Sequence, residues 1–287
     1  MIEMNIGIVG NGFVGQATAL LDNNDTDLYI YDLDPDKRYP DREVTLETLA
    51  DKCDVVFICV PTPMDESTGR CHTNIVESVI NDLKNHSSSV DIVVRSTVPI
   101  GFCRRLEVNF MPEFLTERNW EEDVQTCQDW VIGCYDITNT LFIDEINALL
   151  NSAIMDDKIK SEYVNVHFVT CEEAELAKYA RNVFLATKVA FFNEVSEFCE
   201  LKGISYDAVR ELTSLDPRIG HSHTQVPGPD GKKGFGGTCF PKDTSSLLHQ
   251  FESVGVDSYI VKSALDRNVQ KDRPEMDWST DKGRAVI

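Results

Sequence analysis

The chain has 287 residues, with 27 Lys and Arg against 48 Asp and Glu, for a formal net charge of −21. So acidic a surface repels nucleic acid and anionic membrane, which removes both as bulk partners, and no apolar run approaches the roughly 20 residues of a membrane span. The nine cysteines stand singly, without a CxxC pair, so neither a metal site nor a disulfide framework is expected.

The N-terminus, "MIEMNIGIVG", enters a strand pattern directly, with neither a basic leader nor a cleavage site, so an intracellular, cytoplasmic location is expected. Strands are predicted at 5–10, 27–32, 54–60 and 91–96, with helices near 14–21, 45–51 and 73–85 between them. Val- and Ile-rich runs separated by helices predict a parallel sheet covered on both faces, the doubly wound Rossmann-type α/β arrangement. A run at 129–134, a helix through about Leu150 and a strand-like 164–169 extend that layer. Residues 171–203 predict one long helix, free of Pro and internal Gly, that stops at Gly203. It is apolar enough to join domains or to pack against a second subunit. Shorter helices are predicted near 205–214, 243–253 and 258–270, and the polar C-terminal "KDRPEMDWSTDKGRAVI" is expected to lie over the surface. The division expected is a sheet domain over 1–170, then a long connecting helix and a small helical domain over 171–287.

Four stretches carry chemistry. Gly10-Asn11-Gly12-Phe13-Val14-Gly15 is a GxGxxG that follows the first strand and opens a helix. Asp32 stands about 20 residues on, at the end of the second strand, which is the spacing of a dinucleotide site. The glycines permit a tight turn and the close approach of a pyrophosphate. Asp32 would accept hydrogen bonds from the adenine ribose, favouring NAD over NADP, while Lys37 and Arg38 lie close enough to soften that preference. "RSTVPIGF" (95–102) ends the fourth strand, where Thr97 would bind cofactor or a catalytic water, or would belong to an ordinary strand-to-helix connection.

"NFMPEFLTE" (109–117) holds Glu113 among Met, Pro, Phe and Leu. That setting would desolvate its carboxyl and raise its pKa, as a general base requires, unless the residue is a solvated surface acid. Lys178 and Asn182, four apart in the long helix, share a face flanked by Ala177, Ala180 and Ala186. They would suit an oxyanion or a substrate hydroxyl, or form a solvated stripe. In "GPDGKKGFGGTCFPKDTSSLL" (228–248), Gly234, Gly236 and Gly237 would let the main chain pass closely round a ligand. Pro241-Lys242-Asp243-Thr244 reads as a helix start, with Asp or Thr as its cap. Cys239 then lies just ahead of a helix N-terminus with Lys242 nearby, and both lower a thiol's pKa. It is the one cysteine whose neighbours argue for reactivity; the other eight read as small buried hydrophobes.

The motifs "GNGFVG", "STVPIGF", "MPEFLTE", "AELAKYARNVFLATKVAFFNE", "DPRIG" and "VPGPDGKKGFGGTCFPKD" occur in the order found in the UDP-glucose/GDP-mannose dehydrogenase family, which the chain resembles over nearly its whole length. "GFGGTCFPKD" looks like its UDP-glucose branch. The resemblance implies two NAD-dependent oxidations of a sugar C6 alcohol, UDP-glucose + 2 NAD+ + H2O giving UDP-glucuronate + 2 NADH, without release of the aldehyde. It makes Cys239 the nucleophile, passing through a thiohemiacetal and a thioester, and Glu113 the base for the hydrolytic water. Lys178 and Asn182 would stabilise the oxyanion, with Asp243 and Thr97 positioning the lysine or a water. Gly10, Gly12, Phe13, Val14, Gly15, Asp32, Lys37, Thr97, Glu117 and Lys242 fall at cofactor positions. Glu113, Phe114, Leu115, Lys178, Asn182, Arg218, Gly234, Phe235 and Gly236 fall at sugar-nucleotide positions. Arg218 matches an arginine that reaches the neighbouring subunit's substrate, which implies a homodimer built on the 171–203 helix. Typical members continue with a further Rossmann-like domain that closes over the nucleotide and adds basic contacts, and this sequence reads as a short form without it.

Two other readings share these residues. A two-electron 2- or 3-hydroxyacid dehydrogenase has the same two-domain plan but needs no thiol. A non-catalytic NAD-binding partner subunit would keep the fold and turn over no sugar nucleotide.

Overall fold

The computed structural model describes residues 4–87, 89–116 and 118–287. The chain divides into two compact units: Met1–Thr62 with Thr73–Lys178, and Pro63–His72 with Tyr179–Ile287.

The first unit alternates β1 (Met4–Val9), α1 (Phe13–Ala19), β2 (Thr26–Tyr31), α2 (Leu46–Lys52), β3 (Val55–Ile58), α3 (Asn74–His86), β4 (Asp91–Val94), α4 (Phe102–Arg105), β5 (Asn109–Phe110), α5 (Trp120–Gln125), β6 (Asp129–Cys134), α6 (Thr140–Met155) and β7 (Asn165–Thr170). They build one sheet in the order β2-β1-β3-β4-β5-β6-β7. Side chains alternate across a strand, so β3 feeds two cores at once. Val56 and Ile58 join Leu49, Val76, Ile80 and Leu83 of α2 and α3. Val55 and Phe57 join Ala17 of α1 and Phe142, Ile146 and Leu149 of α6. All four β3 residues are fully buried, each worth roughly 1.5–3 kcal/mol relative to exposure. This is the doubly wound layer that the apolar runs predicted.

The parallel expectation holds from β2 to β5 and fails beyond it. β6 pairs with β5 antiparallel through Phe110 and Gly133, and β7 runs parallel to β6. The two-residue β5 is too short to register as a strand in the sequence, so the reversal after it leaves no pattern to read. Gly133 is needed at that crossing: a Cβ there would meet Ala174 Cβ at 2.9 Å and Cys171 Cα at 3.0 Å.

Helix α7 (Cys171–Lys202) follows β7 without a break and runs through the division, its residues to Lys178 counting with the first unit and those from Tyr179 with the second. Gly203, at φ +64°, ends it as its sequence predicted. The second unit adds α8 (Tyr206–Ser214), α9 (Phe240–Ser253) and α10 (Tyr259–Arg267), the last continued by a π-helical turn over Asn268–Asp272. The C-terminal stretch does not simply lie over the surface. Trp278, Ala285 and Val286 pack with Met64 in a small core, and Met64 N–H donates to the Ala285 carbonyl at 2.9 Å. A short turn over Asp277–Thr280 and isolated bridges carry no sequence period, so polarity alone misjudged the segment. Among the described residues no helix is long and apolar enough to cross a membrane, and no cluster of metal-ligating side chains occurs.

Candidate active site

The β1–α1 turn shows why each glycine of GNGFVG is there. Gly10 has φ +94°, and a Cβ on it would meet the Cys59 carbonyl oxygen at 2.9 Å. A Cβ on Gly15 would overlap the Gly10 carbonyl oxygen, whereas around Gly12 there is open space. Gly12 is the N-cap of α1 and adds no side chain of its own to the cap, while Phe13 and Val14 lie half-buried in the first turn. Asp32 is aimed at this turn: its Oδ2 accepts the Asn11 N–H at 2.8 Å and its Oδ1 accepts the Asp34 N–H at 2.9 Å. Arg38 donates from Nε to the Asp32 carbonyl at 2.8 Å, from Nη1 to the Arg42 carbonyl at 3.0 Å, and covers the Tyr31 ring. That guanidinium is engaged with protein groups, and Lys37 is the exposed neighbour. Two glycines required by the fold, a third over open space and an oriented carboxylate fit a dinucleotide with a free ribose.

Within the same unit, Glu113 is buried as its apolar neighbours implied, but it is not isolated. Its Oε1 accepts from Lys178 Nζ at 2.5 Å, and its Oε2 accepts the Leu115 N–H at 3.0 Å. Lys178 Nζ also lies 5.8 Å from the centre of the half-buried Phe114 ring. Thr97 is buried in the loop after β4. Arg95, two residues before it, is 3% exposed, has its Nε without a hydrogen-bond partner among the described residues, and donates from Nη1 to Met111 Sδ at 3.7 Å. Burial lowers this guanidinium's pKa, while the Cys59 thiol and Glu113 nearby raise it. Burial in turn pushes the Cys59 thiol up to about 11, against the opposing pull of Arg95 and Thr18. Glu175 of α7 is fully buried and accepts the N–H groups of Gly101, at 2.5 Å, and Cys103, at 2.9 Å, so it caps α4 and fixes the loop that carries Thr97. Glu117 lies outside the described residues.

In the second unit Cys239 is the N-cap of α9, with Pro241 in the first turn. The cap expected from the sequence was Asp or Thr; the helix instead begins at Phe240, and Asp243 N–H donates to the Cys239 carbonyl at 2.8 Å. That earlier start turns Asp243 inward. Its carboxylate is fully buried, accepting from Asn182 Nδ2 at 2.6 Å and from Lys242 Nζ at 2.7 Å. Burial would lower the Lys242 ammonium, but the charge of Asp243 and the thiol groups of Cys71 and Cys239 outweigh it and hold it above the ordinary lysine value. Thr238 Oγ1 stands 3.8 Å from Cys239 Sγ. Of the other eight cysteines six are buried, and burial raises the thiols of Cys53 and Cys171 to about 12, out of the reactive range. Arg218 projects with 86% of its side chain exposed, steered by Asp216, which accepts from its Nη2 at 2.6 Å.

The loop before Cys239 departs from the sequence reading in one respect. Gly234 and Gly236 face protein: a Cβ on Gly234 would overlap Asn268 Oδ1, and one on Gly236 would overlap the Arg273 guanidinium. Gly237 alone, at φ +72°, has open space. Phe235 is buried beside Ala186, Ala190 and Ala264.

Each unit thus assembles part of the expected set, Glu113 with Lys178 in the first and Cys239, Lys242, Asp243 and Asn182 in the second. Arg95, Glu175, Asn193, Asn268 and Arg273 are further polar groups that sequence reasoning passed over. Arg95 had a signal, an arginine directly after the apolar "DIVV". Asn268 and Arg273 had none, lying some 30 residues beyond the loop they support.

The comparisons with known proteins bear on the family. Residues 41–151 match the model of the UDP-glucose/GDP-mannose dehydrogenase family NAD binding domain, and residues 172–270 match the same family's central domain. A UDP-glucose 6-dehydrogenase of Campylobacter jejuni is 27% identical over 92% of this chain and 72% of its own length. One from Rickettsia typhi is 30% identical over 92% of this chain and 67% of its own. The solved structure of a UDP-glucose dehydrogenase from Pyrobaculum islandicum superposes with a TM-score of 0.76 at 27% identity, covering 93% of this chain and 68% of that one.

Proposed function

The chain belongs to the UDP-glucose/GDP-mannose dehydrogenase family, and on that premise we propose that it oxidises the C6 alcohol of a nucleotide sugar, UDP-glucose before others, to a carboxylate with two NAD+ reduced per sugar. The observation that carries this reading is the second unit's array, a cysteine at the N-cap of α9 beside a buried Lys242–Asp243–Asn182 chain. A two-electron hydroxyacid dehydrogenase has no use for such a thiol.

The Gly10–Gly15 turn and Asp32 would hold NAD, which would supply the hydride acceptor for both oxidations. The residues do the rest. Cys239 Sγ adds to the aldehyde carbon, its proton passing to the new oxygen, and the adduct keeps the aldehyde from leaving. Once oxidised, that adduct is a thioester. Glu113 accepts a proton from water, the hydroxide adds to the thioester carbon, and the carbon–sulfur bond breaks to release the carboxylate and restore the thiol. Lys178, paired with Glu113, and Asn182, oriented by Asp243, donate to the oxyanion at each addition.

We also assign a homodimer to α7. Phe184, Phe191 and Phe198 repeat every seven residues, each more than half exposed, and Leu201 is 78% exposed, a stripe that a second copy would cover. Sedimentation should report a dimer that Phe191→Asp dissociates.

Counting NADH per sugar consumed tests the main reading. Two NADH per UDP-glucose is the expected result, and Cys239→Ser should stop the reaction before the carboxylate. Unchanged carboxylate production in that variant would point to the two-electron enzyme. No NADH from UDP-glucose, UDP-galactose, GDP-mannose or UDP-N-acetylmannosamine would leave a non-catalytic NAD-binding subunit.

A further inference from the structure

Three buried side chains from outside the glycine-rich loop hold its main chain. Asn268 is fully buried and makes two hydrogen bonds to one residue: its Oδ1 accepts the Phe235 N–H at 2.8 Å, and its Nδ2 donates to the Phe235 carbonyl at 2.9 Å. That is the exchange a neighbouring strand offers a hydrogen-bonded partner, supplied here by a single amide. Asn193 Oδ1 accepts the Gly234 N–H at 3.2 Å while its Nδ2 is tied to the Val189 carbonyl at 2.9 Å. Arg273 lies against Gly236, its guanidinium locked by Asp277, at 2.8 Å from both Nε and Nη2, and by Asp230, at 2.6 Å. The chain leaves α-helical geometry to achieve this. Asn268 opens the π-helical turn, and Arg273 N–H closes it on the Asn268 carbonyl at 2.8 Å.

We propose that Asn268 is a positioning residue that sets the Gly234–Gly236 main chain in its ligand-binding shape before a sugar nucleotide arrives. This rests on the reading of that loop as a sugar-nucleotide contact. A side-chain amide offers a donor and an acceptor side by side without titrating, and an apolar residue offers neither. A loop released from this clamp must be ordered by the ligand. Ordering one residue's backbone corresponds to roughly a tenfold loss of affinity.

The test compares wild type with Asn268→Leu, which keeps the approximate shape and loses both donor and acceptor, and with Asn268→Ser, whose short hydroxyl cannot reach both Phe235 groups. Amide hydrogen exchange of the peptide spanning Gly234–Gly236 is followed beside KM and kcat for UDP-glucose. Both variants should lose protection in that peptide and raise KM for the sugar at least tenfold, with a smaller change in kcat and an unchanged KM for NAD. Unchanged protection in the variants overturns the clamp. Lost protection with an unchanged sugar KM overturns its role in binding. If wild type turns over no sugar nucleotide, the functional reading fails and the binding role falls with it, while exchange still decides the clamp.

Discussion

Glu175 makes the stability of this protein pH-dependent in a direction that can be worked out. Its carboxyl is fully buried, and burial pushes its pKa up from 4.5 to about 7, against the opposing pull of the Cys103 and Gly101 N–H groups. Between those values the folded chain holds a proton that the unfolded chain has released. Stability from this group is therefore complete below about 4.5, falls as pH rises toward 7, and changes no further above it. At about 1.4 kcal/mol per tenfold change in proton affinity, the loss comes to about 3 kcal/mol. Glu145, raised to about 7 by burial and by Asp91, adds a slope of the same sign, so the assay must isolate Glu175 by difference. Urea unfolding of wild type and Glu175→Gln at intervals from pH 5 to 8 does so. At pH 5 the amide no longer titrates but keeps one acceptor oxygen where Glu175 has two, so the variant should begin about 1–3 kcal/mol below wild type. By pH 8 the variant should have gained about 3 kcal/mol on wild type. A difference that stays flat across the range would refute a Glu175 kept protonated by burial.

Four other outcomes follow from the contacts of the two units. Lys178→Met strands the buried Glu113 carboxylate and should cost about 3–5 kcal/mol, most of it recovered in the Lys178→Met, Glu113→Gln double variant; urea midpoints that add independently would deny the pair. Gly15→Ala forces a Cβ into the Gly10 carbonyl and should cost roughly 1–3 kcal/mol. Gly12→Ala, over open space, should melt within about 1 kcal/mol of wild type yet weaken NAD on the order of tenfold by titration. Gly236→Ala meets a guanidinium held by two carboxylates, whereas Gly237→Ala meets nothing and bears only the left-handed backbone penalty of about 1–2 kcal/mol; thermal melts in the reverse order would contradict the packing of Arg273.

What could be read from the sequence was whatever is local. Apolar runs of strand length marked β1 to β4 because both faces of those strands are covered. Helix α7 was legible because Gly203 ends an uninterrupted stretch, and Cys239 because its neighbours over a few residues make a helix start. The reversal at β5 was hidden because two residues carry no period, and the C-terminal core because Trp278 and Val286 are buried by Met64, more than 200 residues away.

The site divides along the same line. Residue types and their order along the chain determined which groups could do the chemistry, since a thiol before a helix or a carboxyl among apolar neighbours is a property of a short segment. Only the tertiary structure decided what each is joined to: Glu113 to Lys178, Asp243 to both Asn182 and Lys242, Phe235 to Asn268. It also gave the steric reason for two glycines, since a Cβ on Gly234 or Gly236 would overlap Asn268 or Arg273. Hydrogen bonds and steric exclusion act over a few ångströms in space, and in the site they join partners as far as 74 residues apart along the chain.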